Sequence, residues 1–144
     1  IAFIGLGNMG GPMAANLAKA QHHVTAFDLS DSAVAAAVEK GAHKAATAAE
    51  AVKGAEVVVT MLPAGKHVRE VYEKDVLPYI GKGVLLIDCS TIDVDSARAA
   101  HAAAEAAGLG ACMVGAFLDG MVNDLLRVDG RQEAALGLVA LGPR

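Results

Sequence analysis

Three glycines, spaced as Gly5-Leu6-Gly7-Asn8-Met9-Gly10 between the apolar run Ile1 to Ile4 and an alanine-rich stretch, constrain this 144-residue chain more than any other feature. A strand that turns at once into a helix needs one glycine where the backbone bends tightest. A second belongs where no Cβ can stand between backbone and ligand, and a third where helix and strand pack at short range. The helix that opens there is read as Met9 to Ala20, with Pro12 in its first turn, where a missing N–H costs little. Its unpaired N–H groups and the positive end of its dipole face the turn, which suits a diphosphate without any charged side chain. Asp28 stands 18 residues after Gly10, at the end of a second apolar run, Val24 to Phe27. A carboxylate there accepts hydrogen bonds from ribose hydroxyls. Strand, glycine loop, helix, strand and acid in that order predict dinucleotide binding. The same acid repels a 2′-phosphate, and Leu29-Ser30-Asp31 offers no arginine against it, so NAD is expected in preference to NADP.

The remainder repeats the alternation of short aliphatic run and helical stretch, the pattern of βαβ units and a parallel sheet. Val57 to Leu62 and Val84 to Ile87 are the further strands. Both are continuously apolar, as a strand requires when helices cover both faces of its sheet. Helices are expected over Asp31 to Lys40, capped by Ser30 and closed by Gly41, and over a short segment opened by a Thr47/Glu50 capping box. Two more are expected from about Lys66 to Glu73 and from the Ser90 to Asp95 region to Ala107, ahead of Gly108. Ala111 to Leu118 is read as a strand and Arg131 to Leu141 as a helix. The fold class is α/β, a doubly wound parallel sheet in one domain over residues 1–144.

Composition narrows the partners. With 12 basic against 16 acidic side chains, a net charge of −4 and 3% aromatic residues, the chain has neither a phosphate-neutralising patch nor bases' stacking partners, so no nucleic acid is expected. No run approaches the roughly 18 apolar residues that span a bilayer, and no membrane partner is expected. Cys89 and Cys112 have no metal-ligand spacing, the adjacent His22 and His23 suit a turn, and no metal site is expected.

The stretch from Ile1 through Gly5-Leu6-Gly7-Asn8-Met9-Gly10-Gly11-Pro12 to Leu17 resembles the opening of the 3-hydroxyisobutyrate dehydrogenase group of β-hydroxyacid dehydrogenases. Thr60-Met61-Leu62-Pro63 resembles that family's cofactor-contacting loop, and Asp88-Cys89-Ser90-Thr91-Ile92-Asp93 its substrate-loop motif. The likeness covers about the first 108 residues. It implies a Rossmann-type domain that binds NAD through Gly5, Leu6, Gly7, Asn8, Met9, Gly10 and Asp28, with Leu62 and Pro63 along the dinucleotide. His67 falls where the family places a polar side chain near the cofactor. Thr91 would bond on the nicotinamide side, and Ser90 would hold the carboxylate of a small β-hydroxyacid substrate, which the family oxidises to its semialdehyde.

Two departures qualify what the resemblance implies. Gly115-Ala116-Phe117-Leu118-Asp119-Gly120-Met121 stands where the family has Asp-Ala-Pro-Val-Ser-Gly-Gly, keeping only Ala116 and Gly120. The family's catalytic Lys, in a Gly-rich stretch beyond this domain, has no counterpart, since every lysine from Lys19 to Lys82 precedes the Ser90 loop. The expectation is a domain truncated or diverged after about residue 108, whether by nature or by a shifted reading frame, inactive alone for want of that Lys. A non-catalytic binding or scaffold module is the alternative. The family's second, helical domain is expected to be absent, and with it exposed aliphatic surface and a homo-oligomer are expected. The expected location is a bacterial cytoplasm, with a mitochondrial matrix as the alternative.

Overall fold

The structure, a computed structural model, describes residues 1–113. Six parallel strands form one sheet: β1 (Ala2–Ile4), β2 (Thr25–Phe27), β3 (His43–Lys44), β4 (Val57–Thr60), β5 (Leu85–Asp88) and β6 (Gly110–Met113), in the order β3-β2-β1-β4-β5-β6. Five helices connect them: α1 (Gly10–Lys19), α2 (Asp31–Glu39), α3 (Ala48–Ala51), α4 (Gly65–Val71) and α5 (Val94–Ala106). The chain steps outward from β1 through β2 to β3, then crosses back to place β4 on the other side of β1. A crevice opens at the carboxyl ends of the strands where the direction of winding reverses.

Alternation along each strand divides the core in two. Ala2, Ile4, Val58 and Leu86 face α3, α4 and α5, where they pack with Ala51, Val68, Tyr72, Ala100 and Ala104. Phe3, Val24, Ala26 and Val59 face the other way, against Ala14 of α1 and Val34 and Ala37 of α2. Both sets are buried, which is why the strands read as unbroken apolar runs. Alanine on the inner helix faces lets the helices lie close to the sheet, and it is the best helix former.

Helix boundaries follow local chemistry. The Ser30 hydroxyl accepts from the Ala33 N–H at 3.4 Å, and Gly41 follows α2 with φ +98°. Thr47 Oγ1 accepts from the Glu50 N–H at 3.0 Å, but the Glu50 carboxylate reaches one residue further back than a reciprocal capping box requires, to the Ala46 N–H at 2.6 Å. Asp93 caps α5, its Oδ1 accepting from the Ser96 N–H at 2.8 Å.

Elsewhere the elements depart from the sequence reading. The Val57 strand ends at Thr60, short of Leu62. Strand β3 went unread because two exposed polar residues at a sheet edge carry no periodicity. The Lys66 to Glu73 helix is α4 followed by a π-helical segment, Tyr72–Val76, in which the Leu77 N–H reaches the Tyr72 carbonyl at 2.9 Å. The expected strand at 111–118 is met in part by β6, and its remainder, the Gly115 to Met121 stretch and the expected helix over 131–141 lie outside the described residues.

A Cβ on Gly10 would overlap the carbonyl of Gly5 and lie 3.2 Å from the Phe3 ring. Gly10→Ala is therefore expected to destabilise the chain by about 3 kcal/mol in urea unfolding. Gly7→Ala, whose Cβ meets no atom within 4 Å, is expected to stay within about 0.5 kcal/mol of the parent.

Candidate functional site

The first glycine makes the turn that opens the crevice. Gly5 has φ +95°, a conformation L side chains rarely adopt, and any Cβ there would run into the Met61 carbonyl. Its N–H donates to the Phe27 carbonyl at 3.0 Å, and the Met61 N–H to the Ile4 carbonyl at 3.0 Å, so the turn is tied to the ends of both β2 and β4. At Gly7 the space a Cβ would take is open. Met9, which caps α1, supplies no side-chain acceptor, while Pro12 has no N–H and the Gly11 N–H donates to the Gly7 carbonyl at 3.0 Å, so in the first turn the Gly10 amide and the helix dipole are what is left for an anion.

Asp28 locks this loop. Its Oδ2 accepts from the Leu6 N–H at 2.6 Å and its Oδ1 from the Ser30 N–H at 2.8 Å. The carboxylate is half-buried on the crevice wall, and each oxygen accepts a single bond from the chain, leaving capacity for a ribose hydroxyl.

The crevice holds about 800 Å³, within the range of small-molecule sites. Gly5, Gly7, Asn8, Met9, Gly10, Asp28, Leu62, Pro63 and His67 all line it. Leu6 does not; it is buried and contributes its N–H to Asp28. Thr91 is exposed beyond β5 and is not on the crevice wall. His67 Nδ1 is buried without a hydrogen-bond partner, a polar atom placed for a ligand to satisfy. The open space at Gly7, this orphaned nitrogen and the paired Asp28 suit an extended dinucleotide.

Ser90 departs from its expected place. It is buried, its Oγ donates to Asp88 Oδ1 at 2.5 Å and accepts from the Leu62 N–H at 2.8 Å, and its own N–H donates to Asp88 Oδ1 at 3.1 Å. A hydroxyl has one proton, and that proton and the amide are both given to Asp88. Neither donor is left for a substrate carboxylate.

The wall also contains residues the sequence reading did not place at the site. Thr47 and Ala48 reach it from α3, and Val71, Lys74 and Asp75 from α4 and the π-helical segment. Only the crossover topology brings these stretches to the glycine loop, and no local signal marks them. Lys74 pairs with Glu70 at 2.7 Å. Hydrogen bonding and attraction between them hold Lys74 above and Glu70 below the usual values. Behind the wall, Thr60 Oγ1 donates to Asp88 Oδ1 at 2.8 Å. The sequence reading did not pair these two residues, because the register that sets Thr60 beside Asp88 is known only from the sheet. At the other ends of the strands the His23 and His43 rings stack at 4.3 Å, far from the crevice.

Residues 1–117 match the family described as the NAD binding domain of 6-phosphogluconate dehydrogenase. The chain belongs to that family. It is an NAD(P)-binding domain similar to 3-hydroxyisobutyrate dehydrogenases, as the motifs implied. It is 48% identical to the 3-hydroxyisobutyrate dehydrogenase of Pseudomonas aeruginosa over 99% of this chain and 46% of that protein. Identity to the NAD-dependent L-serine dehydrogenase of the same organism is 52% over 76% of this chain and 37% of that one. Among solved structures, Mycobacterium tuberculosis 3-hydroxyisobutyrate dehydrogenase with L-serine superposes with a TM-score of 0.77 at 46% identity, covering 79% of this chain and 39% of that chain. The NAD(P)-binding domain thus spans less than half the length of these relatives. No helix among its described residues is long and apolar enough to cross a membrane.

Burial raises the pKa of Asp88 above the usual 3.8, against the lowering effect of bonds from Ser90 and Thr60. A carboxyl raised on folding holds its proton more tightly folded than unfolded, so it adds stability as pH falls towards 3.8 and withdraws it as pH rises through the folded value. Urea unfolding across pH 4 to 8 is expected to show this decline, and Asp88→Asn to flatten it. An identical slope in both proteins would assign the pH dependence elsewhere.

Proposed function

We propose that this chain is the NAD-preferring half of a dehydrogenase acting on a small β-hydroxyacid. The observation that carries the reading is the placement of Asp28. Its carboxylate is fixed by the Leu6 and Ser30 amides at the end of β2, one strand from the glycine turn, where a ribose would lie once a diphosphate occupied that turn. A 2′-phosphate would meet this charge, with Asp31 close by in sequence and its partner Lys44 already engaged at 3.3 Å. The NAD dependence of the L-serine dehydrogenase relative supports the same preference. Gly7, Asn8, Met9 and Gly10 would hold the diphosphate, Leu62 and Pro63 would flank the dinucleotide, His67 would supply a polar contact, and Thr91 would approach the nicotinamide side.

Bound NAD would supply the hydride acceptor, while the substrate's hydroxyl proton needs a base matched in position and pKa. Residues 1–144 contain no lysine after Lys82. Lys74, the lysine on the crevice wall, is ion-paired and pushed up in pKa, the opposite of what a proton acceptor needs. The 144-residue chain alone is therefore proposed to bind dinucleotide without turnover. Self-association belongs to the same proposal, as does a bacterial cytoplasmic or mitochondrial matrix setting, which is supported by the bacterial relatives and a mitochondrial one from Dictyostelium discoideum.

Calorimetric titration with NAD and NADP separately is expected to show tighter NAD binding, with Asp28→Ala weakening NAD about tenfold and narrowing the difference. Tighter NADP binding, or an unchanged preference in Asp28→Ala, would overturn the ribose assignment. Incubation with NAD and 3-hydroxyisobutyrate is expected to yield no NADH absorbance, and steady NADH production would refute the claim of inactivity.

A further inference from the structure

The loop that follows β4 forms one wall of the crevice, yet Leu62 and Pro63 have no ladder partner of their own once the strand ends at Thr60. What holds Leu62 is the hydroxyl of Ser90, which accepts its N–H at 2.8 Å from the loop after the neighbouring strand. A serine hydroxyl rotates freely and serves equally as donor or acceptor, so by itself it would not commit to this polarity. Asp88 removes the freedom. Its Oδ1 takes the Ser90 hydroxyl proton at 2.5 Å and the Ser90 N–H at 3.1 Å, while Thr60 Oγ1 donates to the same oxygen at 2.8 Å. With its proton committed to the acid, Ser90 turns a lone pair towards Leu62.

All three polar side chains are 2% exposed or less, so water does not compete for these bonds. The chain of bonds therefore runs from the last residues of β4 and β5 to the amide that starts the cofactor-facing loop. It also explains why Ser90, although in the loop expected to meet substrate, has no donor to offer one.

We propose that Ser90, oriented by Asp88, is a positioning residue that fixes the Leu62–Pro63 wall of the dinucleotide crevice rather than a residue that touches substrate. This assignment rests on the NAD-binding reading above and deepens it. Asp88 acts through Ser90, and Thr60 steadies Asp88 from the adjacent strand. Because the arrangement depends on an acceptor at Oδ1 and not on charge, an amide at position 88 preserves it and a methyl group does not.

The test follows two readouts in the 144-residue chain and its Ser90→Ala, Ser90→Cys, Asp88→Asn and Asp88→Ala variants. One is NAD affinity by calorimetry, and the other is amide hydrogen exchange at Leu62 at a denaturant-free temperature well below each variant's Tm. Ser90→Ala and Asp88→Ala are expected to weaken NAD about tenfold and to speed exchange at Leu62 at least tenfold. Asp88→Asn is expected to stay within threefold of the parent on both, and Ser90→Cys, which keeps a weak acceptor, to fall between. Unchanged Leu62 exchange in Ser90→Ala, or equal losses in Asp88→Asn and Asp88→Ala, would overturn the assignment. A parent chain that binds no NAD would sink the functional reading instead, and Leu62 exchange would still decide whether Ser90 holds the loop.

Discussion

The close passage of α1 over the turn at Gly5 is the constraint on which the rest of the molecule depends. Gly10 lies against the carbonyl of Gly5, and Gly5 against that of Met61, so three segments meet where none has room for a Cβ. That approach brings the start of α1 to the end of β1, and β1 is the strand on which the winding of the sheet reverses. The diphosphate site proposed above needs no charged side chain, because this packing leaves open space at Gly7 beside the positive end of the α1 dipole. The glycines are thus first a packing requirement, and the capacity to bind an anion follows from what the packing exposes.

Hydrogen bonds then carry the geometry of the turn outward to both neighbouring strands. Asp28 connects the end of β2 to the Leu6 amide, and Ser90 with Asp88 connects the end of β5 to the Leu62 amide. The two acids have similar tasks in different surroundings. Asp28 is half-buried, accepts one bond at each oxygen and retains capacity for a ligand, whereas Asp88 is buried and takes three bonds on one oxygen. A carboxylate at the mouth of a crevice keeps lone pairs open to whatever enters it. One enclosed behind the wall loses solvation, gains affinity for its proton, and supports.

What could be read from sequence follows from how local each cause is. The glycine turn, Asp28, the apolar strands and the Ser30 and Thr47 caps were legible because each depends on neighbours a few residues away. Strand β3 was not, since His43 and Lys44 are polar, exposed and too few to show a period. The π-helical segment after Val71 leaves no such trace either. Thr47, Val71 and Lys74 reach the crevice only because α3 and α4 follow the crossover back past β1, a contact that no window of sequence contains.

Ser90 shows the same limit at the level of chemistry. Its place after a strand, before a helix and in a familiar motif suggested a ligand contact, and position in the fold agrees with that expectation. Function turns instead on where one proton goes. Asp88, two residues earlier, takes both the hydroxyl proton and the amide, and the Leu62 amide, 28 residues away, takes the lone pair that remains useful. A motif can place a hydroxyl at a strand end, but the groups that meet it there decide whether it faces inward to hold a loop or outward to meet a ligand. In this chain the sheet register that sets Thr60 beside Asp88 makes that decision, because it encloses the acid and leaves its Oδ1 to draw the Ser90 hydroxyl inward alongside that of Thr60.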